Sequence, residues 1–205
     1  MSGTEQAMLS GRQAAAILRS VLSSDEQARL LLRTGIAGSG VTTSTATLFD
    51  EAAVRELCLR PQVGRRELWR ACPHGLYVAR LHRGAALDLT RPWAEVAGQV
   101  AASIAQQRRL TALTAALTSA QIRVSGRLPF AATYLGFVVL TADLVAVGAD
   151  RPSLTPPGPW ADAVTGRQLH TRSGGRPGYL LTPPVVADGI IPARPGTPPR
   201  RPMRP

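Results

Sequence analysis

The sequence predicts an α+β protein: a small helical module with a short strand-rich excursion, followed by a long helix packed on a small antiparallel sheet. Three observations support this fold class. Capping residues and apolar residues at helical spacing recur through residues 9–57. A run of β-branched residues separates the second and third of these predicted helices. From Gln121 onward, the sequence is rich in strand-forming residues. The predicted domains are residues 1–60 and 61–190, and the Arg- and Pro-rich residues 191–205 are predicted to form a disordered basic tail.

Two short helices are predicted first. Ser10 and Gln13 have the spacing of a capping box, in which each residue satisfies a free backbone N–H of the other, so a helix is expected from Gly11 to about Arg19. The run from Ser23 to Glu26 repeats this device and places two acids where the helix dipole favours negative charge. The second helix is expected to end at Gly35, because glycine readily adopts the left-handed conformation that follows a helix.

The second helix is predicted to have two distinct faces. At about 100° per residue, one face carries only apolar residues and the other carries the charged ones. The apolar face consists of Ala28, Leu31 and Leu32, and the opposite face of Glu26, Arg29, Leu30 and Arg33. The second face is therefore the candidate face for binding a partner.

A Thr-rich segment and a third helix complete the module. Residues 41–49 are rich in β-branched residues, which predicts a two-stranded wing with its tip near Ser44. Asp50 is expected to cap the third helix, and Pro61 prevents that helix from extending much further.

Together these strings resemble the excisionase and MerR-type winged helix-turn-helix domain over about the first 60 residues. The resemblance is carried by Leu9-Ser10-x-x-Gln13-Ala14-Ala15, by Leu32-Arg33-Thr34-Gly35-Ile36-Ala37, and by residues 48–57 from Leu48-Phe49-Asp50 to Leu57. It implies that the second helix, with Arg29 and Arg33, enters the major groove of DNA. It also implies that the wing tip, Thr43 to Thr45, touches the DNA backbone or the minor groove.

We therefore expect sequence-selective binding of double-stranded DNA, as a transcriptional regulator or an accessory DNA-binding protein. Arg29 and Arg33 are expected to reach base edges or nearby phosphates, and Thr43, Ser44 and Thr45 to touch the backbone. Arg65 and Arg66 are expected to anchor the flank. The carboxy-terminal domain is expected to form a homo-oligomer or to bind a partner. The alternative is a non-catalytic protein that uses the module to dock a protein or RNA.

The charge distribution is uneven along the chain. The formal net charge is +11, and every basic residue other than histidine is arginine. Residues 1–60 contain six arginines and six acids, so the whole excess lies in residues 61–205. The predicted DNA-binding module is therefore formally neutral, which is unusual for a single-module DNA reader. To bind DNA, the module must either concentrate its arginines on one surface or depend on basic residues elsewhere in the chain for affinity.

No catalytic motif, cofactor or metal site is predicted. The sequence has no phosphate-binding loop, dinucleotide fingerprint or nucleophile elbow, and Cys58 and Cys72 lack the paired spacing of a zinc hook. An enzyme would require Asp143, Asp150 or a histidine to be buried together in a deep pocket.

The sequence also predicts the cellular location of the protein and the main elements of its second domain. Asp143 near the middle of residues 130–149 disfavours a membrane span by roughly 2.5 to 3.5 kcal/mol, so no membrane segment is expected. The first 30 residues lack an apolar core of signal-peptide length, and Cys58 and Cys72 are too few for a disulfide framework, so a cytoplasmic protein is expected. The long helix is predicted from Pro92 to Leu117, and strand alternation from Ile122.

Overall fold

The computed structural model describes residues 7–38, 40–81, 87–106, 112–148, 151–169 and 178–183. These residues form a mixed α+β structure with six α-helices and two sheets, in agreement with the predicted fold class. The predicted tail, residues 191–205, lies outside the described part of the chain.

The first part of the chain combines three helices with a small antiparallel sheet. Its elements are β1 (Met8–Ser10), α1 (Gly11–Leu18), α2 (Asp25–Arg33), β2 (Val41–Thr42), β3 (Thr47–Asp50) and α3 (Glu51–Leu59). The sheet order is β1-β3-β2, so β3 is the central strand, with Leu9 opposite Phe49 and Val41 opposite Leu48.

Local hydrogen bonds start these helices where the sequence predicts. The Ser10 Oγ accepts the Gln13 N–H at 3.3 Å, and the Gln13 Oε1 accepts the Ser10 N–H at 2.9 Å, which is the expected capping box. Ser24 caps α2, and Asp50 caps α3 by accepting the Ala52 N–H at 2.9 Å. Gly35 follows α2 with φ +73°, a conformation that glycine adopts without strain. The three predicted helices are confirmed.

The second part of the chain builds the larger sheet. Its elements are α4 (Arg65–Ala71), β4 (Leu76–Arg80), α5 (Trp93–Gln106), α6 (Ala112–Ser125), β5 (Leu128–Tyr134), β6 (Phe137–Val147), β7 (Pro152–Thr155), a short 3-10 helix (Pro159–Ala163) and β8 (Gly178–Leu181). The strand order is β7-β6-β5-β4-β8.

The prediction of an antiparallel sheet is wrong for one strand pair. β4 runs parallel to β5, while the other neighbouring pairs are antiparallel. A parallel pair needs a long crossover, and the segment that contains α5 and α6 supplies it between β4 and β5. The sheet is therefore mixed.

The helical region extends further along the chain than the predicted long helix, which was expected to end near Leu117. Helices α5 and α6 lie on either side of residues 107–111, which are outside the described residues, and α6 continues to Ser125. Ile122 is therefore helical and buried, whereas Val124 is 80% exposed. Two apolar residues separated by one polar residue fit a short strand or a helix equally well, and the packing of α6 against β5 and β6 selects the helix.

The larger sheet is covered on both faces. On one face, Tyr77, Phe130 and Leu144 belong to a hydrophobic core that also contains residues of α5 and of α1, α2 and α3. On the other face, a second core joins Val78 to Leu68 of α4 and to residues beside the 3-10 helix.

The predicted domain division at residue 60 stays a prediction, and described residues on both sides of it share the first core. No helix within the described ranges has the length and apolar character needed to cross a membrane.

Candidate nucleic-acid interface

The arginines of α2 lie on its solvent-facing side. Arg29 and Arg33 are exposed. Ala28 and Leu31 are fully buried, and Leu32 is nearly so. The helical spacing thus divides this helix as predicted, and both guanidinium groups are free to meet a ligand.

Arg29 and Arg33 line a concavity of about 780 Å³. Arg12, from the first turn of α1, lines it as well, and Thr42 and Thr47 of the β2–β3 hairpin form another wall. We call this feature the arginine concavity. Arg12 was not among the sequence-predicted site residues, because its position beside α2 depends on how α1 packs on that helix.

Among the described residues, the acids of this region form no ion pair with these three arginines. Asp25 pairs with Arg19 at 2.9 Å, and Glu51 pairs with Arg55 at 2.6 Å. In contrast, no hydrogen bond or ion pair joins Arg12, Arg29 or Arg33 to another side chain of the described chain. The formal neutrality of residues 1–60 therefore conceals a local positive surface.

The carboxylate of Asp25 responds to this surface. Its pKa lies below the ordinary value, first because Arg19 donates a hydrogen bond to it, an effect that desolvation partly opposes. The positive charges of Arg19, Arg29 and Arg12 lower the pKa further. Arg12 and Arg29 thus act on the same small region of the protein surface.

A loop from the second part of the chain forms the third wall of the arginine concavity. Leu87, Asp88 and Thr90 line it, and Leu87 is buried against the shared core. The Asp88 Oδ1 accepts the Thr90 hydroxyl at 2.5 Å, and its Oδ2 accepts the Arg91 Nε at 3.0 Å. The hydrogen bonds from Thr90, followed by that from Arg91, lower the pKa of Asp88. Its charge is therefore already compensated beside the arginines.

The same loop is tied to α5, because the Asp88 N–H donates to the Gln99 Oε1 at 3.1 Å. The order Asp88-x-Thr90 is a local turn signal that the sequence could have revealed. Its position next to α2 had no signal in the sequence.

The predicted tip residues lie on the turn of the β2–β3 hairpin. Thr43, Ser44 and Thr45 are exposed and do not line the arginine concavity. The Thr43 Oγ1 accepts the Ala46 N–H at 3.0 Å and donates to the Ala46 carbonyl at 2.8 Å, so it closes the turn. The hydroxyls of Ser44 and Thr45 are the better placed of the three to meet an external acceptor.

Arg65 and Arg66 occupy the first turn of α4 and are exposed. They do not line the arginine concavity. Helix α4 instead packs against the 3-10 helix on the second core. The structure therefore does not gather these two residues with Arg29 and Arg33, and their contact with flanking DNA stays a prediction.

Asp143, the candidate for a catalytic acid, is buried with structural partners. Its Oδ1 accepts the Trp160 Nε1–H at 2.6 Å, and its Oδ2 lies 3.1 Å from the Arg127 Nη1 in an ion pair whose angle is too poor for a hydrogen bond. His74 is exposed, whereas Asp150, His82 and His170 lie outside the described residues. Within the described ranges, no three His, Cys, Asp or Glu side chains cluster as a metal site.

Comparisons with protein families, with curated proteins and with solved structures found no match to this chain. Functional inference therefore depends on the geometry of the arginine concavity and on the chemistry of its residues.

Proposed function

We propose that this chain binds double-stranded DNA in a sequence-selective manner, as a transcriptional regulator or an accessory DNA-binding protein. In this proposal residues 1–60 act as a winged helix-turn-helix domain, with α2 as the reading helix and the β2–β3 hairpin as the wing. The element order from β1 to α3 supports the proposal, since two helices precede the hairpin and a third follows it.

The observation that carries the proposal is the group of three arginines around one concavity beside the hairpin, none of which has a hydrogen-bond or ion-pair partner among the described side chains. Guanidinium groups bind phosphate and the guanine edge through two parallel hydrogen bonds. Each phosphate that they neutralise also releases counterions, which favours binding at low salt. The local surplus of arginine supplies the basic footprint that the composition of residues 1–60 lacks.

The proposal is tested by selection from random duplex DNA with the full-length chain, followed by fluorescence anisotropy on the recovered site. We expect a recovered motif, and two half-sites would indicate a dimer. Replacing Arg29 and Arg33 together by alanine should remove about 1 to 3 kcal/mol of base discrimination for each base-contacting arginine.

A matched control is the double variant R55A/R123A, which removes the same formal charge from exposed positions on α3 and α6. It should keep the sequence preference, because neither residue lines the arginine concavity. The proposal fails if no motif is recovered, or if R29A/R33A retains the wild-type preference. DNA affinity without sequence preference would indicate phosphate contact alone and would contradict sequence-selective binding.

A further inference from the structure

The arginine concavity has the dimensions of a small-molecule site. Its volume of about 780 Å³ falls within the roughly 300 to 1,000 Å³ that small-ligand pockets occupy. Three separate parts of the fold form its walls: the start of α1 with α2, the β2–β3 hairpin, and the Leu87–Thr90 loop. Contact with a DNA backbone requires a basic surface, but it does not require a recess of this volume.

The floor of the concavity is apolar. Leu32, Phe49 and Leu87 line it with 5%, 8% and 6% of their surface exposed, and they belong to the same core. DNA phosphates gain nothing from such a floor, whereas the ring or hydrocarbon body of a small molecule gains free energy by covering it.

The rim of the concavity is basic. Arg12, Arg29 and Arg33 are exposed there without partners among the described side chains. Asp88 is the acid that lines the concavity, and its carboxylate is occupied by Thr90 and Arg91. A ligand with an apolar body and two or more phosphate oxygens free for guanidinium contact fits both features.

We propose that the arginine concavity binds a small organic phosphate with a planar or apolar body, and that this ligand competes with DNA for Arg29 and Arg33. The competition depends on the proposed DNA-binding function, whereas the ligand site does not. In this arrangement the organic phosphate acts as an effector that releases the protein from its DNA site, since occupancy of the guanidinium groups by one anion excludes the other.

The ligand site is tested by isothermal titration calorimetry with three probes in buffer without divalent cations: adenosine 5′-diphosphate, pyrophosphate and adenosine. The first carries a planar body and two phosphates, and each of the others carries one of these parts. We expect adenosine 5′-diphosphate to bind at least about tenfold more tightly than either fragment, because only it uses both rim and floor. Pyrophosphate binding as tight as that of the whole nucleotide, or no binding of any probe, would overturn the proposal.

The variant G11L tests the contribution of the apolar floor to ligand binding while the basic rim is kept. A Cβ at Gly11 would lie 3.7 Å from the Phe49 ring, an ordinary contact, so the side chain of G11L is expected to fill space over the floor while every arginine remains. We expect G11L to weaken binding of adenosine 5′-diphosphate about tenfold or more. If G11L does not fold, R12A replaces it and should weaken nucleotide binding by about tenfold. Unchanged nucleotide affinity in the variant measured contradicts the site.

The competition is measured by anisotropy of labelled DNA at rising adenosine 5′-diphosphate concentration. The apparent Kd for DNA should rise in proportion to nucleotide occupancy in the wild type, and pyrophosphate at equal ionic strength should have a weaker effect. Nucleotide binding without DNA binding overturns the proposed function and leaves the ligand site standing. DNA binding without nucleotide binding overturns the ligand site alone.

Discussion

The side chain of Asp143 is 2% exposed, and a carboxylate at such a depth needs donors to offset its lost hydration. The Trp160 indole supplies a hydrogen bond at 2.6 Å from inside the fold, whereas the Arg127 guanidinium approaches from a side chain that is 62% exposed. We therefore expect the indole to contribute more than the arginine to the stability of the folded state.

Replacing Trp160 by phenylalanine should lower the free energy of unfolding by about 1.5 to 3 kcal/mol, since a buried charge loses its hydrogen-bond donor. Urea denaturation measures this change. The matched control is W69F, which makes the same chemical change at a half-buried tryptophan that packs on the same core. Equal losses in the two variants would show that the hydrogen bond to Asp143 contributes nothing beyond packing.

Among the elements, the β5–β6 hairpin has a leucine at a turn position whose backbone conformation is unfavourable for leucine. Tyr134 pairs with Phe137, so Leu135 and Gly136 form a two-residue connection, and both have positive φ, at 52° and 92°. Both positive values match the type I′ turn, whose twist suits an antiparallel hairpin. Glycine adopts this conformation freely, whereas leucine is strained in it.

Replacing Leu135 by asparagine should raise the free energy of unfolding by about 1 kcal/mol, because asparagine tolerates the left-handed conformation better than leucine. Little packing is lost, since Leu135 is 40% exposed. The increase is measured as a higher urea midpoint at unchanged slope. Gly136→Ala is the opposite control and should destabilise, and a lower midpoint for L135N would refute the strain argument.

At the scale of the whole molecule, both faces of the larger sheet bury weakly acidic groups. Burial, together with the nearby charge of Asp143, raises the pKa of the Cys72 thiol from 9.0 to about 12. Burial raises the pKa of Tyr77 from 10.0 to about 12. Cys72 belongs to the second core and Tyr77 to the first, so the two groups report on opposite sides of one sheet.

The unfolded chain releases these protons at lower pH than the folded chain does, so stability is intact below pH 9 and is lost as pH rises toward 12. The loss should not exceed about 1.4 kcal/mol per pH unit and group. Urea midpoints measured from pH 8 to 11 test this. C72A should flatten the decline that starts near pH 9, and Y77F only the decline above pH 10. A decline that neither variant alters would refute the assignment.

The sequence by itself determined the features that depend on neighbouring residues. The caps at Ser10 and Asp50, a serine cap within the run from Ser23 to Glu26, the end of α2 at Gly35 and the buried side of α2 were all predicted. Short-range hydrogen bonds and helical periodicity decide these features. The exposure of Arg29 and Arg33 follows from the same periodicity.

The tertiary structure alone decided how distant segments meet. It placed Arg12 and the Leu87–Thr90 loop beside α2, made β4 parallel to β5, and joined Asp143 to Trp160. These contacts link residues far apart in the chain, so no local pattern contains them. They form because packing both faces of the larger sheet and the three amino-terminal helices buries far more apolar surface than any segment can bury alone.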